Sequence, residues 1–345
     1  MKRRPDGERR LSGSFLFVAG LLVALGLLYR TLGDRTVWSE CLTVWPPFVW
    51  AILLVPRFAL LAMRRRQAEF TASLLLLSAF LIVTVEWPSL LRRPTPGRST
   101  NRGGVLRVVT WNVAGGLPLR DLEPLAPDLC LFQETPFTDP RTLEGYWAGF
   151  AWLGSLDPGA LSRHPITRLA TRKIGPWIEP LVLRLEPEEG RRIVVINARL
   201  MLPAPVVAAA EMARPAGLAK AHGDRLAQFH ELVRLLKDTL QREETRSAVV
   251  CGDFNTPGDA RSLDPLRGLL IDVWPRAGIG WGATMTAWLP VSRIDQCWVS
   301  ADLEPIEARV LRGASDHRFL VVDLALEPTS ARSGTPQTDR SASAR

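Results

Sequence analysis

Three apolar stretches in the first hundred residues constrain this chain more than anything else in it. Leu11–Tyr29, Cys41–Met63 and Phe70–Leu91 are each about as long as a bilayer core requires, roughly 20 residues. The first carries no charge, the third only Glu86, and the second holds Arg57 together with Pro46, Pro47 and Pro56. Three transmembrane helices are expected; the alternative is a buried helical hairpin of a soluble protein. No Ala-x-Ala cleavage pattern follows the first run and two more runs come after it, so it reads as an uncleaved span. Arg57 sits near the Arg64–Arg66 end, where it can snorkel toward the interface.

Basic residues set the expected topology. With the N-terminus inside, Lys2, Arg3, Arg4, Arg9, Arg10 and Arg64–Arg66 lie on the inner side, eight against six on the other. Everything after Leu91 is then expected outside the cytoplasm, as one multi-pass membrane protein. The formal charge is +8, but these flanks take up much of the excess, so nucleic-acid binding does not follow from it. Of the four cysteines, Cys130, Cys251 and Cys297 lie in apolar strand-like runs and read as buried thiols. No Cys/His spacing points to zinc.

After a Pro/Gly/Ser/Arg linker at 92–104, residues 105–326 alternate strand-like and helix-like runs. Strands are expected at Val105–Trp111, Asp128–Gln133, Trp147–Leu153, Leu181–Leu185, Ile193–Leu200, Ala248–Cys251, Ile294–Val299, Ala308–Leu311 and Phe319–Leu324. The best helix is Asp224–Leu240, where Leu226, Phe229, Val233, Leu236 and Leu240 mark one buried face. The tail after Glu327 has a disordered composition.

Chemistry collects at strand ends. The run from Ala248 ends in Gly252-Asp253-Phe254-Asn255, which puts a carboxylate and an amide on the same side of a strand end. Val108-Val109-Thr110-Trp111-Asn112 ends on an amide, and Leu129-Cys130-Leu131-Phe132-Gln133-Glu134 on a carboxylate. Asp295 follows Arg293-Ile294, and Ser315-Asp316-His317 precedes the last strand. Oxygens of this kind suit a hard cation and a phosphate group.

In this order, with Gly159-Ala160-Leu161-Ser162-Arg163-His164-Pro165-Ile166 and Arg225-x-x-Gln228, the sequence resembles the endonuclease/exonuclease/phosphatase superfamily of metal-dependent phosphoesterases. The resemblance implies an α/β fold, a four-layer sandwich of two face-to-face mixed β-sheets flanked by helices. It implies Glu134, with Asn112 and Asp316, as the Mg²⁺ (or Mn²⁺) region. It implies Asp253 as the group that orients or deprotonates water, Asn255 as a phosphate contact, and His317, oriented by Asp295, facing the phosphoryl group. Arg225 is a candidate substrate contact, or a bridge between helix and sheet. Asp272 matches a family position too, with a turn or cap as the alternative. His164, His222 and His230 read as surface residues.

One departure stands out. Many members carry Asn-x-His-Leu after the middle strand, where this chain has Asn197-Ala198-Arg199-Leu200. Arg199 can clamp phosphate but cannot shuttle a proton near neutral pH. The apolar, Pro/Ala-rich insertion 201–222 suggests lipid contact, or a helical insertion packed on the domain. The layout also resembles a branch with three spans and an external catalytic domain, some of it linked to cell-wall lipid carriers and glycopeptide resistance. The expectation is a membrane-anchored phosphoesterase acting on a phosphate ester or pyrophosphate, of a phospholipid or polyprenyl carrier. The alternatives are a membrane-tethered nuclease and a non-catalytic phosphate-binding module. No protein partner is inferable.

Overall fold

The computed structural model describes residues 12–64, 66–93, 104–116, 119–135, 151–154, 157–175, 178–206 and 215–326. The basic N-terminus, most of the linker, the middle of the 201–222 insertion, the first part of the expected strand Trp147–Leu153 and the C-terminal tail lie outside these residues.

The apolar runs fold into helices α1 (Gly13–Thr31), α2 (Val37–Thr43), α3 (Pro47–Ile52), α4 (Val55–Met63), α5 (Gln67–Thr84) and α6 (Trp87–Leu91). Ser12 caps α1 by accepting from the Phe15 N–H, and Thr36 and Ser39 form a capping box on α2. α1 and α5 pack through Leu22, Leu25, Tyr29 and Phe80 and leave Leu16, Phe17, Leu27, Leu75 and Ile82 exposed. Helices apolar on the outside as well as the inside are suited to lipid. Both are long and apolar enough to cross a membrane.

The span expected over Cys41–Met63 is bent, and by length and composition the bent pair of helices still qualifies as a third candidate span. The run is broken into α2, α3 and α4, with a bend of 68° between Val37–Thr43 and Pro47–Met63. Proline removes a helical donor and clashes with the preceding turn, and Pro46, Pro47 and Pro56 fall at these breaks. The first residues of the run belong to α2, which packs on the sandwich.

The sandwich has two six-stranded sheets. The first, in the order β11-β12-β1-β2-β4-β3, uses β1 (Val105–Asn112), β2 (Leu129–Gln133), β3 (Ala151–Gly154), β4 (Gly159–Ser162), β11 (Leu303–Leu311) and β12 (Phe319–Leu326). The second, β5-β6-β7-β8-β10-β9, uses β5 (Ile166–Arg168), β6 (Leu181–Leu185), β7 (Ile193–Arg199), β8 (Ala248–Asp253), β9 (Ile271–Asp272) and β10 (Asp295–Val299). Each sheet has one parallel pair at its middle, β1 with β2 and β7 with β8. Val108, Leu131, Leu183, Val195, Val249 and Leu320 interdigitate between the sheets. Outside the second sheet, α7 (Pro215–Arg242) lays Phe229, Leu232 and Leu236 on Ile196, Val250 and Trp298. Outside the first, two 3-10 turns at Leu119–Asp121 and Glu123–Leu125 cover Trp111 and Phe132.

Two local differences from the sequence expectation have clear causes. The stretch Gly159–Ile166 divides between β4 and β5, which lie in different sheets, because Arg163–Pro165 turns the chain over the sandwich edge. Helix α7 begins at Pro215, not Asp224: Ala and Leu residues before the internal Gly223 carry the helix through it.

Candidate active site

Both parallel pairs end at one rim, and there the polar strand ends meet. Asn112, the last residue of β1, donates through Nδ2 to Glu134 Oε1 at 2.8 Å and to Asp253 Oδ2 at 3.0 Å. One short amide therefore links the two sheets. Glu134 follows β2 with φ of 53°, a left-handed conformation uncommon for a residue with a side chain. Its N–H donates to Asp157 Oδ1 at 2.8 Å, which holds that turn.

Asp253 ends β8 and pairs in register with Asp295 at the start of β10. Its Oδ1 accepts the Asn255 N–H at 2.9 Å, and Asn255, at φ of 48°, donates through Nδ2 to Leu200 O at 2.8 Å. Gly252 is what allows β8 to run here: at φ of 143°, an added Cβ would lie 1.8 Å from Ala198 O on β7. Asp295 is fully buried, and its Oδ2 lies 2.9 Å from His317 Nδ1. Its other oxygen, Oδ1, is buried with no hydrogen-bond partner. Ser315 Oγ donates to Asn112 O at 2.8 Å and accepts the His317 N–H at 3.2 Å, which anchors the imidazole to β1.

Burial and mutual charge set the protonation states. Desolvation, with Asp295 beside it, pushes Asp253 up to about 7, against the opposing pull of His317. Burial disfavours the imidazolium of His317, but the charge and hydrogen bond of Asp295, helped by Asp253 and Asp316, outweigh it and raise His317 to about 9. At neutral pH the cluster thus holds a carboxylate near its titration point beside an imidazolium.

The structure brings together Asn112, Glu134, Asp253, Asn255, Asp295 and His317. Arg199, at the end of β7, joins them through Glu134 Oε1 at 2.7 Å and faces Asp157 Oδ2 at 3.7 Å. Asp316 stays exposed, its carboxylate taking a hydrogen bond from Ser315 Oγ at 3.3 Å. Among the described residues, no hydrogen bond joins that carboxylate to Glu134 or Asn112.

Arg225 is not brought to the rim. It is 1% exposed and points the other way, donating to Glu40 Oε1 at 2.5 Å and to Thr256 Oγ1 at 2.6 Å. Of its two readings, bridging is what the geometry supports. Asp272 likewise caps α9 (Val273–Ala277) and pairs with Arg293 at 2.8 Å, away from the site. His222 is buried, with Nδ1 2.6 Å from Glu40 Oε2, so its surface assignment is corrected.

Sequence reasoning missed several groups. Gln133 Nε2 donates to Asn197 Oδ1 at 2.6 Å, and Asn197 Nδ2 donates to Phe132 O and Gly159 O, both at 2.9 Å. This buried knot joins the sheets beneath the rim. Asp157 and the helix residue Glu40 were also missed. A polar residue inside an apolar strand, as at Asn197, was the one available signal.

The donor set is hard: carboxylate and amide oxygens with one imidazole. Asp253, Asp295 and His317 present ligand atoms within 4.8 Å of one another, and the orphaned Asp295 Oδ1 is available beside them. Such a pocket fits a divalent cation that prefers oxygen.

Two face-to-face mixed sheets with this rim define a metal-dependent hydrolase of phosphoester bonds. The sequence model of the Endonuclease/Exonuclease/phosphatase family matches residues 109–317, and the chain belongs to that family. Among solved structures, an endonuclease/exonuclease/phosphatase family protein of Bacteroides thetaiotaomicron is 14% identical with a TM-score of 0.51, covering 65% of this chain and 95% of its own. A mannosyl-6-phosphatase of Bacteroides thetaiotaomicron VPI-5482 is 14% identical with a TM-score of 0.50, covering 64% and 100%. Truncated Caenorhabditis elegans TDP2 is 14% identical with a TM-score of 0.49, covering 65% and 98%. For the two Bacteroides proteins, at 14% identity, the likeness is one of fold. No curated protein matches the chain.

Proposed function

We propose that the chain is a membrane-anchored phosphoesterase that hydrolyses a phosphate ester or pyrophosphate carried by a lipid, through attack of a water activated by Asp253. The observation that carries the chemistry is the convergence of Asn112, Glu134, Asp253, Asn255, Asp295 and His317 on one rim. A carboxylate titrating at about 7 can take a proton from water near neutral pH. Asn255, held by Asp253 and Leu200 O, orients the phosphate. His317, its ring held in place by Asp295, presents Nε2–H to a phosphoryl oxygen as a charged donor. The attacking water forms the new P–O bond and gives its proton to Asp253, while the ester P–O bond breaks toward the leaving oxygen. Arg199 neutralises phosphoryl charge and supplies no proton, so the leaving oxygen is protonated by His317 or by solvent.

Glu134, with Asn112 and Asp316, would hold Mg²⁺ or Mn²⁺, which when bound neutralises charge on the phosphoryl oxygens. The Asp253–Asp295–His317 group, with ligand atoms within 4.8 Å of one another and Asp295 Oδ1 unpartnered, is the other seat for the ion.

Anchoring is supported by the exposed apolar faces of α1 and α5. Positive-inside flanks favour an extracytoplasmic sandwich. The experiment is phosphate release or cleavage by the full chain in detergent, with Mg²⁺ and with EDTA, on polyprenyl pyrophosphate, phospholipid and plasmid DNA. Hydrolysis of a lipid substrate that EDTA abolishes supports this reading. Cleavage of DNA alone makes the chain a tethered nuclease, and no hydrolysis with retained phosphate binding makes it a binding module.

A further inference from the structure

Large apolar side chains are not exposed at random on the described part of the sandwich. They fall at Leu202 and Val206, at Leu269, and on the stretch 279–291. Each of these places adjoins the N-terminal helices. Ala204 N–H donates to Glu40 Oε1 at 3.2 Å, Gly280 N–H donates to Ser89 O at 2.9 Å, and the Trp281 ring lies 5.0 Å from that of Phe48 on α3. Leu269 follows α8 (Asp264–Arg267), whose Asp264 pairs with Arg35 at 2.6 Å.

Two of these stretches also adjoin the active site. Leu202 lines a cavity of about 250 Å³ together with Arg199 and Asn255. In the other stretch, Trp288 is 72% and Leu289 55% exposed. They follow Ala287, whose N–H donates to Asp316 O at 2.6 Å and whose carbonyl accepts from Arg318 Nε at 2.9 Å. The segment Thr286-Ala287-Trp288-Leu289-Pro290-Val291 carries no charge. Tryptophan and leucine held out into water gain nothing there, whereas at a bilayer surface both are favoured, Trp by its amphipathic ring.

We propose that Leu202 and Trp288–Leu289 are two lips that rest in the surface of the bilayer around α1 and α5, so that the site takes its phosphate group directly from a membrane-held lipid. The occupant is the lipid surface, because both lip segments are held to the N-terminal helices, the one carrying Trp288 through Trp281 on Phe48 and the one carrying Leu202 through Ala204 on Glu40. The headgroup phosphate reaches Arg199 and His317 while the hydrocarbon stays in the membrane. This rests on the phosphoesterase reading only for its consequence on turnover.

Two measurements separate surface from chemistry. The first is carried out on full-length chain with Cys41→Ser, reconstituted in phosphatidylcholine–phosphatidylglycerol vesicles. A fluorophore is placed through Trp288→Cys or, as a control, through Arg234→Cys on the exposed side of α7. Lipid-borne doxyl groups are expected to quench the label at 288 at least twofold more than at 234. Equal quenching overturns the proposal whether or not any substrate is hydrolysed, and a crosslink to a second copy through 288 does the same. The second compares wild type with Trp288→Ala/Leu289→Ala on a long-chain polyprenyl pyrophosphate in vesicles and on a water-soluble five-carbon analogue. A fall of at least tenfold in kcat/KM on the long-chain substrate, with less than a twofold change on the analogue, is expected. Equal losses on both, or none on either, overturn the proposal. Selective quenching with no hydrolysis of either substrate by wild type overturns the phosphoesterase reading instead.

Discussion

At Gly252 a single hydrogen in place of a side chain decides whether β7 and β8 can lie together. With a Cβ 1.8 Å from Ala198 O and φ of 143°, Gly252→Ala is expected to lose at least about 3 kcal/mol of stability in chemical denaturation. Next to it, Asp253 carries a stability penalty that serves chemistry. Its folded pKa of about 7 lies above the ordinary 3.8, so the folded state is disfavoured increasingly as pH rises from 4 to 7. Asp253→Asn is therefore expected to melt at or above the wild-type temperature at pH 8 while losing turnover. His317 runs the other way. Its pairing with Asp295 stabilises fully below the ordinary 6.5 and is lost as pH rises through about 9. Together they predict a bell in kcat/KM, rising through about pH 7 and falling through about 9, and Asp295→Asn should move the alkaline limb to lower pH. A profile flat from pH 6 to 10 would contradict both assignments. These groups were legible because a polar residue closing an apolar run has few uses in a core. Asp157 was not, since nothing near it in sequence marks it as the acceptor that holds the Glu134 turn.

Between elements, the largest surprise is how α2 is held. Glu40, 1% exposed, accepts from Arg225 Nη1 at 2.5 Å and from the Ala204 N–H at 3.2 Å, and its Oε2 lies 2.6 Å from His222 Nδ1. Arg225 in turn donates to Thr256, directly after Asn255. Asp34 adds two bonds to Ser262, at 2.8 and 2.5 Å. Removing one member of a buried pair strands the other charge, which typically costs about 3–5 kcal/mol. Glu40→Ala in the full chain is expected to lower thermal stability on that scale, and a melting temperature within a degree of wild type would contradict the pairing. A bond spanning 185 positions has no local signature, so nothing in the sequence marked Glu40. Strand periodicity revealed most of the sheets, but not which sheet β4 and β5 each join, because that depends on a turn. The prolines in the second apolar run were visible; that they break it, and that α2 then docks on α7, depends on partners far along the chain.

Among the described residues, the helices bond to the sandwich at one end. Asp34, Arg35, Glu40, Glu86 and Arg92 all bond to it, while at the opposite end Ser12 donates to Glu69 at 2.9 Å and Arg57 to Ser14 at 3.1 Å. Ser12 and the turn at Arg66 thus share the end away from the sandwich, the end that the proposed topology puts in the cytoplasm. A membrane-impermeant thiol reagent should reach a cysteine introduced at Arg234 from outside intact cells, and labelling only after lysis would contradict the orientation. In the proposed reaction the carboxylate of Asp253 activates water for attack on a lipid-linked phosphate. The direct measurement is Mg²⁺-dependent turnover of polyprenyl pyrophosphate by the full chain, wild type beside Asp253→Asn, with the folded fraction of each matched by thermal melting. A loss of roughly 10²–10⁴-fold at equal or higher stability is predicted. An equally fast, well-folded Asp253→Asn would contradict it.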